Sequence, residues 1–205
     1  MRRRGYTSQA IRNFLDRIGV SKANSTIDVE LLEHSVRDDL EKRAPRAMAI
    51  LDPLRVVIES YPEDQVEEFD VPVYTQDPER KESRKIPFSK VIYIEREDFM
   101  EDPPKKFFRL APGREVRLMN AYYVTCTGVT KDENGNIVEL RCTHDPESRG
   151  GMSADGRRVQ GTLHWVSAAH AISAEIRLYE HLFTVPNPEE AGEGEDFTSN
   201  IAPES

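Results

Sequence analysis

From residue 7 to residue 19 the apolar positions follow a helical period: Ile11, Phe14, Leu15 and Ile18 fall at i, i+3, i+4 and i+7. Arg12, Asn13 and Arg17 occupy the opposite face, Thr7 is placed to cap the start, and Gly19 to close the end. A second helix is predicted from Asp28 as cap through Val29, Leu32, Val36 and Leu40. It must stop near Arg43, because Pro45 restricts Ala44 and has no N–H to donate. Beyond Pro45 the period changes. Ala47, Met48, Ala49, Ile50 and Leu51, then Leu54, Val56 and Ile58, read as β segments on either side of a break at Asp52-Pro53. Further strands are predicted at 91–94, 107–110, 115–129, 137–143, 161–166 and 175–179. No long helical period intervenes, which favours closed antiparallel sheet over βαβ units. The expected class is α+β: a helical subdomain over 1–45, then a β-barrel region over 46–205.

Local chemistry refines two places. Asn134-Gly135 between two alternating runs supplies the positive φ that a tight hairpin requires. With Gly135 in the left-handed position of a three-residue loop, Cys126 and Cys142 face one another across the ladder, as two reduced thiols rather than a disulfide in a reducing compartment. Residues 62–90, with four prolines and mixed charge, read as a long excursion between strands, and the acidic stretch 186–196 as a polar loop.

Composition narrows the class of partner. The chain has 205 residues and a formal charge of −9, from 28 Lys and Arg against 37 Asp and Glu. No run approaches the ~18 apolar residues of a membrane span, and the basic start Met1-Arg2-Arg3-Arg4 is not followed by an apolar signal core, so a cytoplasmic protein is expected. An acidic balance argues against indiscriminate polyanion binding. No phosphate-binding glycine loop or paired-histidine zinc helix is present. His164 and His170 stand six apart with no third ligand at a usual spacing, so no metal is expected there.

Locally the charge reverses. Between Pro103 and Arg117, Lys105, Lys106, Arg109, Arg114 and Arg117 meet one acid, Glu115, with Phe107 and Phe108 among them. On a strand, Lys105, Phe107 and Arg109 would share one face and Lys106 and Phe108 the other. Guanidinium groups beside aromatic rings suit splayed single-stranded bases; the same pattern also suits a charged edge strand. Arg46 is a second candidate, at the helix-to-strand junction.

Whole stretches then become recognisable. Arg2-Arg3-Arg4-Gly5-Tyr6-Thr7, Arg37-Asp38-Asp39-Leu40, Ala44-Pro45-Arg46-Ala47-Met48-Ala49, Gly113-Arg114-Glu115-Val116-Arg117-Leu118 and Gly161-Thr162-Leu163-His164-Trp165-Val166-Ser167-Ala168-Ala169-His170 closely resemble the glutaminyl-tRNA synthetase family downstream of its catalytic domain. The resemblance runs in order through nearly the whole chain. It implies a class I ligase that joins glutamine to tRNA(Gln) with ATP, of which this chain resembles the helical connecting region and most of two anticodon-binding β-barrels of ribosomal protein L25-like fold. The ATP-binding signatures of the family precede the equivalent of Arg2, so this part is expected to hold no cofactor, and family members continue past the equivalent of Ser205 by several strands. Carried over by position, Arg46 matches the arginine on the middle anticodon base, Arg109 the one on the third base and Arg117 one on the first. Lys105 and Lys106 align beside them as phosphate or base contacts. Met119 stands where some relatives place a second arginine for the first base, and Glu41 and Lys106 replace polar residues. The resemblance implies a monomer with tRNA(Gln) as partner and neither membrane nor DNA. The alternatives are the equivalent part of a glutamyl-tRNA synthetase of archaeal or eukaryotic type, and a free-standing L25-like RNA-binding barrel.

Overall fold

The computed structural model describes residues 1–23, 25–77, 79–187, 192 and 196–203. Most of the acidic 186–196 stretch therefore lies outside the described residues. Contacts divide the chain into two units, Met1–Ala44 with Glu175–Ser205, and Pro45–Ala174. The first unit is thus not continuous in sequence, and 175–205 stands apart from the expected 46–205 region.

In the first unit, α1 (Ser8–Ile18) starts where the Thr7 hydroxyl accepts the Ala10 N–H at 3.0 Å, and ends where Gly19, at φ +70°, turns its N–H back to the Leu15 carbonyl. The second helix, α2 (Val29–Arg43), is capped by the Asp28 carboxylate on the Glu30 N–H at 2.9 Å and ends at Ala44, extended as its following proline requires. Both helices match the sequence expectation. Little is buried between them beyond Ala10, Ser35, Val36 and Asp39. A polar tie replaces apolar depth: the Thr7 hydroxyl donates to Asp39 at 2.6 Å, and Arg43 pairs with the same carboxylate at 2.7 Å.

In the second unit, β1 (Pro53–Ile58), β4 (Val91–Glu95), β5 (Glu115–Leu118), β6 (Tyr123–Lys131), β7 (Ile137–Asp145), β8 (Thr162–Leu163) and β9 (Val166–Ser167) form one seven-stranded sheet in the order β8-β5-β6-β7-β1-β4-β9. The intervening β2 (Glu67–Pro72) and β3 (Ser83–Phe88) pair with each other in a separate ladder. The two edge strands of the large sheet, β8 and β9, are joined only by His164 and Trp165. Laid flat, seven strands would span roughly 30 Å, whereas two residues reach only ~7 Å. The sheet therefore curls until its two ends approach. Trp165 fills this junction: it is 2% exposed, donates its indole N–H to the Met119 carbonyl at 2.9 Å, and meets Phe88 edge-on at 5.1 Å. Leu54, Val56, Ile58, Ile92, Ile94, Val116, Leu118, Leu140 and Leu163 supply much of the interior, each from the inward phase of its strand.

Four expectations need correction. The sheet is mixed rather than antiparallel, since β1 runs parallel to β7 and β5 parallel to β8. Residues 47–51 form no strand, because the Leu51 and Asp52 N–H groups are taken by the Glu95 carboxylate, at 2.7 and 3.0 Å, instead of by a ladder. Residues 107–109 form no strand and follow a turn at Lys105-Lys106, with only Leu110 in an isolated bridge to Phe99. Pro103, Pro104 and Pro112 remove ladder donors there, and the Phe107 N–H closes onto the Pro104 carbonyl at 2.9 Å. Residues 175–179 are exposed and irregular, with no neighbouring strand to supply a ladder.

The predicted hairpin joins β6 and β7, with Gly135 at φ +84° and the Asp132 carboxylate accepting the Asn134 and Asn136 N–H groups. Its reversal spans the five residues between Lys131 and Ile137. Cys126 and Cys142 are register partners, both buried and both free thiols, and a bulge at Thr127 follows immediately.

Candidate nucleic-acid interface

In β5, Val116 and Leu118 point into the core, so alternation turns Arg117 to the other face. The parallel neighbour β8 is registered with Arg117 beside Thr162 and Leu118 beside Leu163. Thr162 therefore lies on the same face as Arg117. Its hydroxyl oxygen accepts two bonds from that guanidinium, from Nε at 3.0 Å and Nη2 at 2.8 Å, while Nη1 stands 3.5 Å from the Gly151 carbonyl.

Arg109 reaches the same residue from a different direction. Its Nη1 donates to the Thr162 main-chain carbonyl at 3.1 Å, and its Nε lies 3.3 Å from the Asp98 carboxylate. Asp98 is buried beneath the turn, and its own carbonyl accepts the Leu110 N–H at 3.0 Å. Burial pushes the Asp98 carboxyl above its usual range, with the Arg109 cation pulling the other way. The approach depends on Gly161. A side chain at that position would place its Cβ 2.4 Å from the Phe108 carbonyl oxygen, so only glycine lets the 105–109 segment lie against β8.

The flanking cations are disposed differently. Lys105 and Lys106 are exposed and make no hydrogen bond or ion pair among the described residues. Phe108 is 51% exposed beside them, whereas Phe107 is half-buried and its carbonyl is occupied by the Arg114 guanidinium. Arg114 is thus turned to an internal role. Arg46 is exposed and held elsewhere, its N–H on the Val73 carbonyl at 2.9 Å and its carbonyl accepting from Arg84 Nε at 3.1 Å.

Thus Arg109 and Arg117 converge on one residue, with Lys105 and Lys106 on the adjoining turn, while Arg46 sits against the strand-connecting segment around Val73. Sequence reasoning missed Thr162, Gly161 and Asp98. None carries a local signal, because each acts on a residue brought near only by the sheet. His164 is exposed, and His170 is drawn onto the Ser167 hydroxyl at 2.8 Å, which in turn meets Ser89 at 2.7 Å. Among the described residues no group of three or more His, Cys, Asp or Glu is placed to hold a metal ion, and no helix is long and apolar enough to cross a membrane.

Comparison with known proteins places the chain in a family. Residues 44–145 match the model described as tRNA synthetases class I (E and Q), anti-codon binding domain, and residues 162–205 match a second model of the same description. The chain belongs to that family. Along its full length it is 54% identical to the glutamine–tRNA ligase of Nitrobacter hamburgensis and 54% to that of Clostridium kluyveri, in each case covering 36% of the relative. The glutamine–tRNA ligase of Bradyrhizobium diazoefficiens is 53% identical over the same span. The chain therefore spans about a third of the length of these synthetases. Arg46, Lys105, Lys106, Arg109 and Arg117 all fall in the first anticodon-binding match, and Thr162 opens the second. The arginine contacts to Thr162 are thus where the two matched parts meet.

Proposed function

We propose that this chain is the part of a glutaminyl-tRNA synthetase that reads the anticodon of tRNA(Gln), in a cytoplasmic, monomeric enzyme that joins glutamine to its tRNA with ATP. The observation that carries the reading is the pair of arginines held on Thr162, with Lys105 and Lys106 exposed on the adjoining turn. A guanidinium has five N–H donors. Arg117 uses three on Thr162 and Gly151, leaving one on each terminal nitrogen. Such a fork matches a base edge, or a phosphate, in a way an ammonium cannot.

The roles follow. Arg117 reads the first anticodon base, Arg109 the third and Arg46 the middle one, while Lys105 and Lys106 hold phosphates or base edges and Phe108 offers an apolar face to an unstacked base. The curled sheet supports an L25-like barrel, and the 1–45 helical part is assigned as the connecting subdomain. Following the family resemblance, ATP and glutamine are assigned to residues other than these. The names of the relatives support glutamine over the glutamate alternative. A chain-wide charge of −9 around a local cationic face suits a partner held at a few placed contacts and released elsewhere.

Aminoacylation by the full-length protein against anticodon variants tests the assignment. Arg109→Ala is expected to lose about 1–3 kcal/mol of discrimination at one base. Lys105→Ala is expected to weaken every tRNA alike and to flatten the salt dependence by about one phosphate contact. Equal losses on every variant from both substitutions would overturn the distinction.

A further inference from the structure

The geometry points to Thr162 as a positioning residue that sets the two base-reading arginines by two separate means, its hydroxyl holding Arg117 and its main-chain carbonyl holding Arg109. This inference rests on the anticodon-reading proposal and deepens it.

Strand register sets the geometry. Arg117 and Thr162 are partners in adjacent parallel strands, so their side chains leave the sheet on one face at neighbouring positions. The Thr162 oxygen has two lone pairs, and the Nε and Nη2 contacts at 3.0 and 2.8 Å occupy both. Two bonds to one small atom hold the Nε–Nη2 edge of the guanidinium on that oxygen. The Gly151 carbonyl at 3.5 Å is a weak third support. The aliphatic stem of Arg117 is also confined: a Cβ on Gly151, itself at φ +82°, would lie 3.0 Å from Arg117 Cδ. A long side chain on the sheet surface is in this way held in one conformation before any ligand arrives, which removes an ordering cost from binding.

Arg109 depends on the same residue without depending on its side chain. Its contact at 3.1 Å is to the Thr162 carbonyl oxygen, and Asp98 supplies its second partner. Any residue at position 162 keeps that carbonyl. The two arginines are therefore separable by substitution. Thr162→Val retains the shape, the strand preference and the main chain, and removes only the oxygen that Arg117 uses. Thr162→Ser returns the oxygen and removes a methyl.

The experiment measures binding of the full-length protein to tRNA carrying each anticodon base changed in turn, for the parent, Thr162→Val, Thr162→Ser and Arg117→Ala, with the thermal midpoint of each variant as a check on folding. Thr162→Val is expected to lose about tenfold in discrimination at the base Arg117 reads, with discrimination at the base Arg109 reads held within about twofold. Thr162→Ser is expected to restore the parent pattern. A merely structural role would lower both discriminations together and would not be rescued by serine alone. If Arg117→Ala abolishes first-base discrimination while Thr162→Val leaves it intact, the positioning role is wrong and the reading of Arg117 stands. If Arg117→Ala leaves the first base equally well discriminated, the base-reading assignment falls and this inference with it. Should valine fail to fold, serine carries the test: loss of first-base discrimination in a folded Thr162→Ser would overturn the proposal.

Discussion

The two units solve the same stability problem by different means. In Pro45–Ala174 the strands converge on a continuous apolar interior, with Leu140, Cys142, Ile58, Phe88 and Ile92 all fully buried and aromatic rings meeting edge-on around Tyr122 and Phe88. Among the described residues of Met1–Ala44 with Glu175–Ser205, the buried apolar ones are Ala10 and Val36, while Leu15, Leu178 and Leu182 stay more than half exposed. There the polar cluster of Thr7, Asp39 and Arg43 does what apolar depth does in the sheet. A curled sheet encloses volume because its strands surround a centre; two short helices have only one facing strip each. Each surface of the sheet unit is therefore rigidly backed, and the candidate reading face stands on the rigid unit.

Three measurements would break or sharpen this contrast. The largest effect is expected from Leu140→Ala, which opens a cavity at the centre of β7 and is expected to cost about 2–5 kcal/mol. Trp165, the single tryptophan, reports the sheet unit, so urea unfolding followed by its fluorescence measures the loss. A cost below ~1 kcal/mol would mean that the interior is loosely packed after all.

Next comes Asp39→Ala, which leaves the Thr7 hydroxyl and the Arg43 guanidinium without their shared acceptor. It is expected to destabilise the helical unit by about 1–3 kcal/mol, seen in helical circular dichroism, with the Trp165 transition unmoved. A shift of both transitions would show that the two units do not respond independently.

The smallest effect is one of pH. The Ser60 hydroxyl accepts the His144 N–H at 2.8 Å and lies 2.7 Å from His144 Nδ1, an arrangement that suits a neutral ring with Nδ1 accepting. Burial lowers the His144 pKa below its usual 6.5, against the opposing charges of Asp145 and Glu67. Between the folded value and 6.5 the unfolded chain binds more protons, so stability rises with pH there and is lost as the pH falls below 6.5. The slope cannot exceed ~1.4 kcal/mol per pH unit for this one group. Unfolding midpoints between pH 5 and 7 are expected to fall less steeply in His144→Gln; an unchanged slope would assign the effect to other groups.

Both helices could be read from sequence because their determinants are near neighbours: a threonine or aspartate cap, a four-residue repeat, a glycine or proline stop. The Asn134-Gly135 hairpin was readable for the same reason. Over 107–110 alternation predicts a strand, but the missing donors of the flanking prolines win once no partner strand can be completed. Of the candidate site, the cations stood out as residue types. Their disposition did not: Arg114 is spent on the Phe107 carbonyl, whereas Arg117, three residues on, is held on the Thr162 hydroxyl.

Sequence alone, then, determined the two capped helices, the alternating strands, the cationic run against an acidic background and the kinship of the chain, because each depends on residues close together or on their order. Tertiary structure alone decided that β8 lies parallel to β5, that His164 and Trp165 draw the two ends of the sheet together, and that Asp98 is buried beneath Arg109. It also decided that two arginines meet at Thr162, one of them from 45 residues away and the other from 53. The reason is physical. Local rules act over a turn or a pleat, whereas strand pairing chooses partners across the whole unit by what can be buried together, and the positions of the site residues are consequences of that choice.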